Sequence, residues 1–175
     1  MRSSTLATIA LALSGLAAAD HAVYADSSYQ DMEYGVYPQQ SYTSSDIVSP
    51  IFNVNTNQTD DAHLASHVFL SLRGTAVTKA GYVSPMVFNS DDLSLVWANE
   101  TYATTFGTRI QQYKGDNYLT FWTGQAQGQG YGQGHYIMLN SSYDVAYNLT
   151  AQNVTVLGDM HEFQVSRSYR FQGAS

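Results

Sequence analysis

The 175-residue chain has no cysteine, so no disulfide or thiolate metal centre can hold it together, and its stability must come from ordinary burial. Basic residues are scarce as well. Seven Lys and Arg face fourteen Asp and Glu, a formal charge of −7. Such a surface repels phosphate backbones and anionic lipids, which argues against nucleic acid or membrane as a partner. Beyond the first nineteen residues no apolar run approaches the roughly 20 residues needed to cross a bilayer as a helix. No window of ten or more residues there carries the i, i+3, i+4 apolar spacing of an amphipathic helix either. The five histidines, at 21, 63, 67, 135 and 161, do not fall at the compact spacing of a zinc site, and no motif for a cofactor appears. His63 and His67 stand four apart, but their surroundings do not read as a helix. What remains is the length of one domain, rich in short strands.

The first nineteen residues read as a secretion signal. Arg2 supplies a positive start, a mostly apolar stretch follows to Leu16, and Ala17-Ala18-Ala19 offers the small residues a signal peptidase needs. Cleavage is predicted after Ala19, releasing a soluble extracellular protein of charge −8 once Arg2 is gone. Residues 20–45 are polar and dotted with Tyr24, Tyr29, Tyr34, Tyr37 and Tyr42, without periodicity, and read as a disordered leader. The domain is expected to begin at Asp46, where 47–55 alternates apolar and polar residues as a half-buried strand does.

Further strands are predicted at Val68-Phe69-Leu70-Ser71-Leu72-Arg73, at Met86-Val87-Phe88 and at Leu93-Ser94-Leu95-Val96-Trp97. A strand–turn–strand signal follows: Ile110 to Tyr113, then Lys114-Gly115-Asp116-Asn117 as the turn, then the aromatic run from Tyr118 to Trp122. A repeat emerges when these are aligned. Met86-Val87-Phe88-Asn89-Ser90 matches Ile137-Met138-Leu139-Asn140-Ser141 at an offset of 51, the following strands align with one gap, and Val68 to Arg73 corresponds to Tyr118 to Thr123 at a similar spacing. Each unit is a strand, a connection and a hairpin closed by an Asn-Ser turn. A period of about 40 to 50 residues of short strands is the signature of β-propeller blades. A β-sandwich also supplies short strands but gives no reason for the register to recur. The predicted fold is therefore all-β: a partial propeller of about two blades and the start of a third, with no closed ring.

The run from Gly124 to Gly134 is almost wholly Gly and Gln. Its composition predicts a flexible connection, with anion contact by free backbone N–H groups as a lesser reading. Five Asn-x-Ser/Thr sequons, at Asn57, Asn99, Asn140, Asn148 and Asn153, are glycan acceptors in a secreted chain, Asn99 in a loop between units being the strongest. His161 stands beside Asp159 and Glu162, which can orient its ring, at the point where a third unit should start its first strand.

With these residues in place a resemblance becomes specific. Ser41-Tyr42-x-Ser44-Ser45-Asp46, Gln112-Tyr113-Lys114-Gly115-x-x-Tyr118-Leu119-Thr120-Phe121-Trp122-x-Gly124, Gly132-x-Gly134-x-Tyr136, Leu139-x-Ser141-Ser142-Tyr143 and Gly158-Asp159-Met160-His161-Glu162-Phe163 resemble the opening part of the fungal arylsulfotransferase-like family, over 41–165. The resemblance implies a secreted β-propeller related to enzymes that move a sulfuryl group from an aryl sulfate to a phenol through a sulfated histidine. Such a histidine accepts the electrophile while cationic donors offset its charge. It also implies that His161 is a channel residue contacting sulfate, the sulfated histidine belonging to a later blade, and that an aryl sulfate or phenolic small molecule is the partner. The family pattern continues past His161-Glu162-Phe163, whereas 166–175 departs from it, so the expectation is a truncated chain, inactive alone, with 166–175 an atypical tail. The competing expectation is a secreted glycoprotein that binds a partner or carbohydrate through Tyr- and Trp-lined strands without catalysis.

Overall fold

The structure, a computed structural model, describes residues 23–24, 27–54, 65–82, 84–102, 104–152 and 157–166. It is an all-β fold in which every sheet but one two-stranded pair is antiparallel. β1 (Val23–Tyr24) pairs in parallel with β4 (Asn53–Val54), and β2 (Gln39–Tyr42) forms a hairpin with β3 (Ser45–Pro50). A single-turn helix, α1 (Ser27–Gln30), precedes them. Regular structure thus begins before Asp46, and the expected boundary falls inside the β2–β3 hairpin. Burial of Ser49, whose hydroxyl meets the Tyr42 phenol at 2.5 Å, draws the tyrosine-dotted segment onto the sheet.

Two larger sheets follow. β5 (His67–Leu70), β6 (Met86–Asn89) and β7 (Leu95–Ala98) make a three-stranded meander, with a short helix, α2 (Thr75–Ala80), between β5 and β6. β8 (Thr105–Tyr113), β9 (Asp116–Ala126), β10 (Gly132–Leu139) and β11 (Val145–Leu149) make a four-stranded one in the order β11-β10-β9-β8. The predicted repeat is present down to single ladder pairs. Val68 pairs with Phe88 and Leu70 with Met86; one repeat later, Leu119 pairs with Leu139 and Phe121 with Ile137. A bulge between Val87 and Phe88 recurs between Met138 and Leu139. Val68 therefore matches Leu119, and the alignment of Val68 with Tyr118 is corrected by a single position. In a strand that shift exchanges the two faces.

The central strands β6 and β10 are apolar at consecutive positions because both their faces are covered. Phe69, Val87 and Trp97 of the first sheet pack against Leu119, Phe121, Ile137 and Leu139 of the second, with Tyr102 edge-on to Phe121 at 4.8 Å. Trp97 stacks on Tyr143, 4.7 Å between centroids and 8° from parallel. On the far side of the first sheet Phe52 packs edge-on to Phe88 at 4.9 Å.

Two local expectations are corrected. The β8–β9 turn is Lys114-Gly115 alone, with φ of 53° and 97°, and Asp116 and Asn117 already pair in the ladder. Two consecutive positive φ values are what a tight hairpin loop needs to match strand twist, so a longer turn is unnecessary. The Gly/Gln run is not a flexible connection: β9 continues to Ala126, β10 starts at Gly132, and only 127–131 turns.

Candidate functional site

Beyond β11 the chain returns at Gly158 to the start of β10. Gly134 and Gly158 exchange two backbone hydrogen bonds of 3.0 Å, and the Trp122 indole N–H donates to the Gly158 carbonyl at 2.8 Å. This explains the glycines. A Cβ on Gly132 or Gly134 would come within 2.7 Å of the Trp122 ring, and one on Gly158 within 2.5 Å of the Tyr136 ring. The buried indole lies where those side chains would be. The N–H groups of Gly124, Gly132 and Gly134 go to Thr104, Asp159 and Gly158, so the lesser reading of this run, contact with an external anion, finds no free N–H at those positions.

Segment 158–165 is pinned along the same face. The Tyr136 phenol donates to the Asp159 carbonyl at 2.8 Å and its ring stacks on Phe163 at 4.8 Å. Arg109 and Gln111 of β8 both donate to the Phe163 carbonyl, Gln111 at 2.9 Å, and Val165 N–H donates to the Gln111 side chain at 2.7 Å. Side chains thus hold 159–165, and the strand expected to start at His161 does not form there.

Between this segment and β8 lies a cleft of about 300 Å³, lined by Phe106, Arg109, Met160, His161, Glu162 and Phe163, with Gly107 at its edge. His161 is 60% exposed and its Nδ1 lies 2.5 Å from Asp159 Oδ2, while Asp159 Oδ1 accepts from Gly132 N–H at 2.7 Å. The hydrogen bond from His161, helped by that from Gly132, lowers the Asp159 carboxyl from its ordinary 3.8 to about 2. The contact with Asp159 occupies Nδ1 and orients the ring, and Nε2 has no hydrogen-bond partner among the described residues. Arg73 lies over the Phe106 ring at 4.5 Å and reaches the Met160 sulfur at 3.9 Å. Of the seven Lys and Arg, Arg109 lines this cleft and Arg73 contacts two of its lining residues.

Arg109 is remote from His161 in sequence, and only its inclusion in a strand facing the Gly158-Asp159 segment connects them. Sequence reasoning missed it. The one available signal is parity, because Arg109, Gln111 and Tyr113 share a face once the Lys114-Gly115 turn fixes the register. Of the other histidines, His67 contacts Ser66 at 2.8 Å, and His135 Nδ1 is buried on β10 without a hydrogen-bond partner among the described residues. His21 and His63 lie outside the described residues, as do Asn57 and Asn153. Asn99 and Asn140 each begin a turn, their Oδ1 atoms accepting from the N–H two positions on at 2.8 and 2.9 Å, and Asn148 is exposed on β11. No group of three His, Asp or Glu converges among the described residues, and none of the described helices is long and apolar enough to cross a membrane. Comparison with protein-family models, curated proteins and solved structures matches this chain to none of them.

Proposed function

We propose that the two repeated sheets are neighbouring blades of a propeller-type fold in a secreted protein similar to the arylsulfotransferase-like family, and that the cleft at His161 binds the sulfate of an aryl sulfate. The observation that carries the reading is the meeting of His161 and Arg109 on one cleft walled by Phe106 and Phe163, in a chain with few cations. An aryl ester needs an apolar wall and a cationic end, and a guanidinium suits the oxyanion. Glu162 on the same cleft confines the anion to the Arg109 side. His161, oriented by Asp159, contacts the sulfate rather than accepting the sulfuryl group. The Asp159 carboxylate is hydrogen-bonded at each oxygen, and its negative charge disfavours a sulfate placed beside it. Two features support the blade reading: the ladder register recurs from the first sheet to the second with its bulge, and each sheet is stacked on its neighbour through apolar faces.

Titration of para-nitrophenyl sulfate into the full chain and its His161→Ala variant tests the reading. Binding should weaken about tenfold in the variant, the equivalent of about 1.4 kcal/mol, with the β-sheet circular dichroism spectrum retained. Equal affinity of the two proteins, or no binding by either, would reject the site. N-terminal sequencing of protein collected from the medium of a eukaryotic secretory host should begin at Asp20, and retention inside the cell would reject secretion.

A further inference from the structure

A second cleft, of about 410 Å³, lies at the opposite end of the β8–β11 sheet, between the β8–β9 turn and the β10–β11 turn. Gly115, Asp116, Asn117 and Tyr118 form one wall and Asn140 with Ser141 the other. Among the described residues the Asp116 carboxylate, the Asn117 amide and the Ser141 hydroxyl make no hydrogen bond, and all three residues are exposed on the lining of this cleft. Tyr118 and Tyr113 each meet the Tyr147 ring edge-on at 5.7 Å, giving the cleft an aromatic flank. Unpaired polar groups beside an aromatic face suit a ring rich in hydroxyl and amide groups.

One such ring has a covalent attachment point in the wall itself. Asn140-Ser141-Ser142 is a sequon. Asn140 Oδ1 is engaged by Ser142 N–H at 2.9 Å and Asp144 N–H at 3.0 Å, which fixes the side chain and leaves Nδ2 without a partner among the described residues. The equivalent turn of the first sheet supplies an internal contrast. Asn89 occupies the same place one repeat earlier, and its Oδ1 also accepts from the N–H two positions on, at 3.4 Å, but Asn89-Ser90-Asp91 lacks the Ser or Thr of an acceptor. The asparagine therefore serves the turn in both sheets, and the hydroxyl residue that turns it into a sugar acceptor is present only where the cleft lies beside it.

We infer that Asn140 carries an N-linked glycan whose first N-acetylglucosamine is seated in the cleft formed by Asp116, Asn117 and Tyr118. Attachment joins Nδ2 to the anomeric carbon of a lipid-diphosphate-linked oligosaccharide. The sugar–phosphate C–O bond breaks, the lipid diphosphate leaves, and one amide proton passes to base. Asn117 and Asp116 then meet the sugar's amide and hydroxyl groups, and its acetyl methyl rests against Tyr118. This inference rests on the secreted route proposed above.

The test is the full chain expressed in a eukaryotic secretory host, with occupancy read by mass spectrometry after enzymatic release of glycans in heavy-oxygen water. Asn140 should be occupied, and Ser142→Ala, which keeps the Asn140 turn but abolishes the sequon, should lower the melting temperature by about 2–4 °C. Tyr118→Ala should lose that increment, so that Ser142→Ala adds no further loss on its background. Trimming to a single N-acetylglucosamine should preserve the increment. Secreted protein occupied at Asn99 or Asn148 but empty at Asn140 overturns the inference alone. So does an occupied Asn140 whose removal leaves the melting temperature unmoved in both backgrounds. Protein retained in the cell with every sequon empty overturns the secreted route and the inference with it.

Discussion

The connection from Leu70 to Met86 and the one from Phe121 to Ile137 are equal in length and leave and re-enter equivalent ladder pairs, yet they fold differently. In the first sheet the connection makes α2, bracketed by Gly74 and Gly81, and ends in Pro85. In the second it prolongs β9 and β10 into a longer hairpin. Trp122 and Ser71 occupy the matching position, and they account for much of the difference. Trp122 gives the extended ladder an apolar group to bury over Gly132 and Gly134, whereas Ser71 bonds Thr108 across the sheets at 2.6 Å and offers no such driving force. Pro85, with no N–H to donate, cannot continue the ladder, and Thr75-Ala76-Val77-Thr78-Lys79-Ala80 tolerates a helix better than a run with glycine at 124, 128, 130, 132 and 134 does. Equal spacing thus fixes where the strands return, while one large side chain decides what lies between them.

The severest way to break this contrast is Trp122→Ala. Removing a fully buried indole should cost about 3–5 kcal/mol in chemical denaturation and unpin 158–163, so cleavage by protease within that segment should accelerate. A loss below about 1 kcal/mol would mean that the glycine ladder holds itself.

A smaller effect distinguishes the turns. Asn140 accepts two N–H groups at 2.9 and 3.0 Å, and Asn89 accepts one at 3.4 Å. In unglycosylated protein Asn140→Ala should destabilise by about 1 kcal/mol and Asn89→Ala by less. Equal losses would show that the turn backbones, with Leu93 and Tyr143 at φ of 57° and 61°, are self-sustaining.

The smallest effect is in pH. The Asp159 carboxyl lies below its ordinary 3.8, at about 2, so its contribution is fully present above 3.8 and is lost as pH falls through about 2. Wild type should therefore lose stability more steeply than Asp159→Asn between about pH 4 and 2, as read by chemical denaturation followed by tryptophan fluorescence. Parallel curves would show that the carboxylate does not hold the segment.

The turns at Asn89 and Asn140, the apolar central strands and the repeat are legible in the sequence because each is written in neighbouring residues. The Gly/Gln run is not, because its glycines answer to an indole reached only after the sheet forms, and composition alone reads glycine as loop. Nor is the cleft legible. Asp159 beside His161 can be read directly, but Arg109 joins them only through the pairing of distant segments. The true start of regular structure escapes composition because tyrosines in a polar stretch show no period, although Tyr29 and Tyr42 reach Ile51 and Ser49.

The chain has only two tryptophans, and each reports on a different seam. Trp97 is half-buried and stacked on Tyr143 where the sheets meet, whereas Trp122 is sealed under the returning segment on the outer face. The protein therefore carries two built-in optical probes, and single-tryptophan versions would reveal by emission colour which seam parts first as the molecule unfolds.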